Sequence, residues 1–400
     1  MLPASRDLYP PATRFHTGVG EADLRSAILA SNDDPIPRQL AIVLCPPASS
    51  ASEQESDFAR MHREIDLVAR LLDRDRVVVE LHVEPLDEGR PLAVALLREL
   101  AEAIQLQFHL CNAPTREISL DVGSCLLKPA DIGILAASGF NRIVFAADQL
   151  ELSLLDAARA AGIRSIGARI GYSEAQPSGA AILPTLDAAL ALRPDRLVVQ
   201  GILPDSRVCP GWPELIRTRL QEAGYVYIGP DHYALPHDEL AVASRTAGLQ
   251  FGPHGYTPHA DCDLLGFGVG AITRVGGFHS QNASDVTSWR NALDAGHLPA
   301  QRGCHLTADD ELRADLVQHL YCRRVIAIDE LERDHGVAFR RYFWQELAQL
   351  APCFTLGLVV DHGNRIEVCS RAWPWLRNIA LCFHAGIYDR TDQLGQDLRH

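Results

Sequence analysis

A chain of 400 residues that is 47% hydrophobic has enough apolar material for one large domain or two ordinary ones. Its 51 acidic residues against 37 basic ones leave a net charge of -14, which argues against nucleic acid or an anionic membrane surface as the main partner. No apolar run reaches the roughly 18 residues of a membrane span, the start MLPASRDLYPPATRF lacks a signal-peptide core, and a cytoplasmic location is expected. The ten cysteines are scattered without a CxxC or CxxxC pair, and they read as buried free thiols of a reducing compartment.

Residues 1–37 are rich in Pro, Ser and Asp and look irregular, apart from a helix over Glu21–Ala30. Arg38–Cys45 is an apolar run of strand length, as a fully buried parallel strand requires. Phe58, Met61, Ile65 and Val68 then recur at three and four, so a helix follows over Asp57–Arg70. The alternation continues with strands Arg76–Val83, Glu117–Val122, Arg142–Ala146, Ile163–Ile170 and Arg196–Gln200. The helices between and after them are Pro91–Ile104, Pro129–Ser138, Gln149–Ala161, Leu183–Leu192 and Glu214–Gly224. Gly139 sits where a helix C-cap wants a left-handed residue. Six strand–helix units in a row predict an α/β fold, a parallel sheet curled into an open or closed barrel.

Pro204–Pro213 marks the edge of that barrel. Tyr225–Arg274 packs His232, His237, His254 and His259 among tyrosines, carboxylates and glycines with little helical or strand periodicity, and it reads as a pocket-shaping segment. From Thr307 the pattern changes to helices over Thr307–Cys322, Ile326–His335, Phe339–Leu350 and Pro374–Tyr388, with a hairpin turning at His362–Asn364. This suggests a mainly helical, winged-helix-like C-terminal domain, and the acidic chain offers no long basic face for DNA. The divisions are thus 1–37 (irregular), 38–205 (barrel), 206–306 (pocket-forming connection) and 307–400 (C-terminal domain).

Four motifs stand in order: GPDHYALPHDELA, GYT, DLLGFGVGAI and SQN. In sequence and spacing they resemble the oxygen-independent coproporphyrinogen III oxidases, radical S-adenosylmethionine (SAM) enzymes of haem synthesis. The resemblance implies a partial (β/α)6 barrel, a [4Fe–4S] cluster and a tetrapyrrole substrate. It also implies a Cys-x3-Cys-x2-Cys loop after the first strand, because thiolates are the ligands that hold such clusters. Matching Pro47 to the family's proline puts Ser49, Glu53 and Ser56 at the three ligand positions, in a loop shorter than the family's. Glu84–Gly89 replaces the family's Gly-Gly-Gly-Thr-Pro turn, and Asp121 stands in for a glutamate. Arg169 occupies the place of a ribose-binding aspartate, where a guanidinium cannot accept a hydrogen bond from a hydroxyl.

The same resemblance places Tyr9, Asp231, His232, Tyr256, Gln281 and Asn282 around the tetrapyrrole pocket. Arg323 adds a forked donor for propionates. The alternatives are a proline-rich leader for Tyr9, a buried His–Asp hydrogen bond for Asp231 and His232, loop packing for Tyr256, Gln281 and Asn282, and a solvated helix end for Arg323. His254, His259, Asp261, Cys262 and Asp263 do not match a zinc signature, and no metal is expected. Cys45-Pro46 and Cys209-Pro210 are Cys-Pro dipeptides of the kind that can offer haem a thiolate.

Three readings follow. A degenerate family member would have lost the cluster and SAM and would bind a porphyrin, porphyrinogen or haem, or pair with another haem-pathway protein. An active oxidase would hold its [4Fe–4S] cluster and SAM in some other way. An interaction module would bind no tetrapyrrole.

Overall fold

The computed structural model describes residues 9–50, 52–85, 93–123, 125–172, 182–201, 212–246 and 248–385. After the helix α1 (Glu21–Ala30) the chain runs β1 (Leu40–Cys45), α2 (Gln54–Ala69), β2 (Val77–Val83), α3 (Val94–Gln107), the short β3 (His109–Leu110), β4 (Glu117–Gly123) and α4 (Pro129–Ala137). It continues β5 (Arg142–Ala146), α5 (Leu152–Ala160), β6 (Ser165–Tyr172), α6 (Ile182–Leu192), β7 (Arg196–Gly201) and α7 (Trp212–Glu222). Every strand–helix unit read from hydrophobic periodicity is present, with ends moved by a few residues. Gly139 does take a left-handed backbone, φ +97°.

The parallel strands run in the order β1-β2-β4-β5-β6-β7, the α/β barrel expected. Tyr225–Arg274 departs from expectation, since it is rich in strands. It holds β8 (Val226–Gly229), β9 (His232–Ala234), α8 (Glu239–Thr246), a hairpin of β10 (Gln250–Gly252) and β11 (Gly255–Thr257), then β12 (Asp263–Gly268) and β13 (Ile272–Val275). β12 lies parallel to β1, and β13, β14 (Phe278–Asn282) and β15 (Ala300–His305) extend the sheet antiparallel beyond it. On the other side β9 and β8 follow β7 antiparallel, so the sheet is open, with β15 and β8 as its edges.

One face of the curled sheet packs under the helices. Ile42, Leu44, Leu81, Val83, Leu120, Ile143, Phe145, Ile166, Leu197 and Val199 join the residues of α2 to α6 in the main core. Alternation along each strand sends the intervening residues to the inner face. A second core gathers Ile228, Phe251, Tyr256 and the C-terminal elements. α9 (Val286–Asp294) joins the main core through Trp289 and Leu293, whereas in the second core α10 (Ala308–Gln318), a π-helical turn over His319–Arg323 and α11 (Ile328–His335) lead to a three-stranded sheet. Its strands are β16 (Val325–Ala327), β17 (Val359–Asp361) and β18 (Arg365–Val368). No helix of the described residues is long and apolar enough to cross a membrane.

Candidate functional site

The inner face carries ionisable side chains among apolar ones. Register pairs Val43 with His82, His82 with Ser119, and Ala146 with Arg169, so these residues line one concave surface. At the amino-terminal end of the strands, buried Arg196 donates from Nε to Asp238 at 2.8 Å and from Nη2 to Glu117 at 3.3 Å, and Arg142 also pairs with Glu117. Burial pushes the Glu117 carboxyl up, but the Arg142 and Arg196 guanidinium groups outweigh it and hold it well below the ordinary carboxylate range.

The carboxyl ends of the strands, where α/β barrels place their chemistry, carry the altered residues. The guanidinium of Arg169 is ion-paired with Asp121, whose side chain is 1% exposed. The two residues therefore neutralise each other. In the loop after β1, Ser49 is buried and donates its hydroxyl to the Asp57 carboxylate. Glu53 accepts from Arg290 Nη1 at 2.7 Å, and Ser56 donates to the Glu53 carbonyl at 2.8 Å. Arg290, on α9, also donates to both oxygens of Asp57, from Nε at 2.8 Å and Nη2 at 2.6 Å. Thus the three positions that would hold a [4Fe–4S] cluster present oxygens already engaged in hydrogen bonds, and Ser56 lies inside α2. These residues do not fit such a cluster.

Cys45 ends β1 on the inner side, among Ala41, Val43 and Leu264. Burial, followed by the carboxylates of Glu84 and Glu64, pushes its thiol well above the ordinary range. Cys45 is 9% exposed, so a haem-thiolate role for it would require this packing to open. Cys209 lies outside the described residues.

The expected pocket residues divide. Asp231, with φ +66°, is held by both outer nitrogens of Arg377 at 2.9 and 2.8 Å. His232 pairs in register with Val198 of the inner face. Its Nδ1–H donates to the Pro230 carbonyl at 2.7 Å, leaving Nε2 as an acceptor. Burial, opposed by that bond and by Asp231, pushes the imidazole down to about 4, so it is neutral. Tyr256 meets His232 edge-on at 5.0 Å, and its hydroxyl donates to the Tyr321 carbonyl at 3.1 Å.

The others point elsewhere. Tyr9 is buried against the C-terminal domain and donates to Asp310 at 2.9 Å. Asn282 turns toward α2, where its amide donates to Glu64 at 2.7 Å and to the Gly268 carbonyl at 2.9 Å. Gln281 donates to the Gly270 carbonyl and accepts from Arg302. Arg323 pairs with Glu330 at 2.6 Å. Each of these four has partners within the fold.

The His254–Asp263 group does not converge either. Asp263 is tied to buried Arg76 at 2.6 Å, and Asp261 is exposed. His254 instead sits in the two-residue turn between β10 and β11 and reaches Glu84 at the end of β2. His82 Nε2 lies 3.5 Å from the same carboxylate oxygen. His82, Glu84 and His254 each offer one ligand atom, all within 4.8 Å of one another. The period-two spacing of Glu80, His82 and Glu84 on a buried strand was the available sign of this set. Nothing local pairs His254 with it.

No protein-family model matches the chain. It is 31% identical to the oxygen-independent coproporphyrinogen III oxidase of Pseudomonas aeruginosa, over 94% of this chain and 91% of that protein. It is 29% identical to the protein of that name from Synechocystis, over 96% and 93%. The solved structure of the Escherichia coli coproporphyrinogen III oxidase HemN, a radical SAM enzyme, matches with a TM-score of 0.84 and 26% identity, over 95% of this chain and 96% of that one. With identity of this extent and one fold along nearly the whole length, the chain belongs to the oxygen-independent coproporphyrinogen III oxidase family.

Proposed function

We propose that this family member neither assembles the [4Fe–4S] cluster nor cleaves SAM, and that it acts by holding a porphyrin, porphyrinogen or haem in the mouth of the barrel. The observation that carries this reading is the donor set: Ser49, Glu53 and Ser56, the residues matched to the family's ligands through Pro47, have their oxygens bonded within the protein. The internal Arg169–Asp121 pair supports it, because the guanidinium that stands in place of the family's aspartate engages the carboxylate of Asp121. The tetrapyrrole half rests on family membership and on His232, a neutral acceptor on the inner face beside Tyr256.

Anaerobic reconstitution with iron and sulfide tests the first half. The expected product is colourless and releases no 5'-deoxyadenosine from SAM, whereas a brown protein with four irons that consumes SAM restores the active-oxidase reading. Titration with coproporphyrin or haemin, followed by the Soret band, tests the second half. Micromolar binding is expected, weakened about fivefold in His232→Ala by the loss of one hydrogen bond. Absence of binding leaves the interaction module.

A further inference from the structure

The geometry points to a site for one divalent first-row transition-metal ion formed by His82, Glu84 and His254 at the carboxyl end of β2. Two imidazoles and one carboxylate are the set that zinc and ferrous centres use when three protein ligands leave further positions open. Magnesium and calcium prefer all-oxygen surroundings. Three observations on this chain favour a built site over a chance cluster.

First, the ligand atoms already lie within 4.8 Å of one another. Around a tetrahedral ion with bonds of about 2.1 Å, neighbouring ligand atoms sit about 3.4 Å apart, so small side-chain rotations close the set. Second, His82 is supported through its other ring nitrogen. Nδ1 lies 2.7 Å from Ser119 Oγ, and in the tautomer where Nδ1–H donates to that oxygen Ser119 gives its own proton to the Leu81 carbonyl, 3.4 Å away. That leaves the lone pair of Nε2 on the side of Glu84. A histidine fixed through its outer nitrogen is the usual support of a metal ligand. Third, the set is enclosed: His82 is 8% exposed and Glu84 7%, and the β10–β11 hairpin presses His254 onto them with its ring 5.1 Å from that of His82. Thr257 of the same hairpin is anchored to Glu80 at 2.7 Å, so the hairpin is held to β2 at two points. The site stands independently of tetrapyrrole binding.

The test uses the full-length protein, stripped with chelator and titrated with Zn²⁺ by calorimetry and with Co²⁺ by absorption. One equivalent is expected to bind, and the cobalt form should show weak d–d bands without a sulfur-to-cobalt charge-transfer band. Glu84→Gln and His254→Ala should each weaken binding by more than about 100-fold, and Ser119→Ala, which keeps all three ligands, by about 10- to 100-fold. Binding of less than one equivalent, a sulfur-to-cobalt band, or Glu84→Gln and His254→Ala proteins that bind as tightly as the parent overturns the assignment. Should Glu84→Gln not fold, Ser119→Ala and His254→Asn decide the matter by the same affinities, measured on proteins whose circular dichroism matches the parent.

Discussion

Arg196 shows how the inner face of the barrel is held together side chain by side chain. It is buried, and its guanidinium is shared between Asp238 and Glu117. Burial disfavours the charge, yet the two carboxylates more than compensate and keep the arginine protonated. Arg196→Ala leaves Asp238 buried without this cation, and the expected loss is about 3–5 kcal/mol, read from the urea midpoint. A loss below about 1 kcal/mol would mean that water replaces the guanidinium and that the interior is wetter than its packing indicates. At this scale the sequence was informative where chemistry alone decides. Ser49, Glu53 and Ser56 are not thiols and Arg169 is not an acceptor wherever their side chains point. It said less where direction decides. Asn282 faces α2, and Arg323 meets Glu330, because strand face and helix phase select their neighbours.

Secondary-structure elements explain why the missing cysteines are not the whole difference. α2 begins at Gln54, so Ser56 is a helical residue on the exposed side while Ser49 is buried against Asp57, and Arg290 of α9 clamps Glu53 and Asp57 from outside. A cluster needs three sulfurs presented by one adaptable loop. The triple variant Ser49→Cys/Glu53→Cys/Ser56→Cys is therefore expected to take up less than one cluster per chain on anaerobic reconstitution, measured as iron and acid-labile sulfide. Four irons per chain would show that the loop rearranges freely. The strands of Tyr225–Arg274 escaped periodicity because they are three to six residues long and carry glycines, which have low strand propensity. Gly268 is there for a steric reason: at φ +102°, a Cβ would lie 2.0 Å from the Cys45 carbonyl oxygen and force β12 away from β1.

Across the whole molecule, the second core ties the N-terminal segment and the C-terminal elements to the rim of the sheet. Asp310, in the capping box of α10, accepts from Tyr9 and pairs with Arg14, and Arg377 reaches back to Asp231. Buried histidines are spread through this assembly, with His232 and His384 pushed down to about 4 and His279 to about 3, in each case chiefly by burial. Their folded-state values lie below the ordinary 6.5, so the unfolded chain binds protons first as the pH falls. The stability they confer is present above about 6.5 and lost as the pH drops through about 4, at about 1.4 kcal/mol per unit of depression. The urea midpoint should fall between pH 7 and pH 5, and His279→Phe with His384→Phe should flatten that slope. An unchanged slope would assign the acid sensitivity to the carboxylates. By itself the amino-acid sequence determined the alternating α/β barrel, the family and the absence of cluster thiols, since each depends on local periodicity or on the identity of single atoms. Only the tertiary structure decided that β12 to β15 continue the same sheet, that Arg169 neutralises Asp121, and that His254 meets His82 and Glu84. Those contacts join positions 48 to 223 residues apart, and strand register, which local patterning does not encode, brings them together.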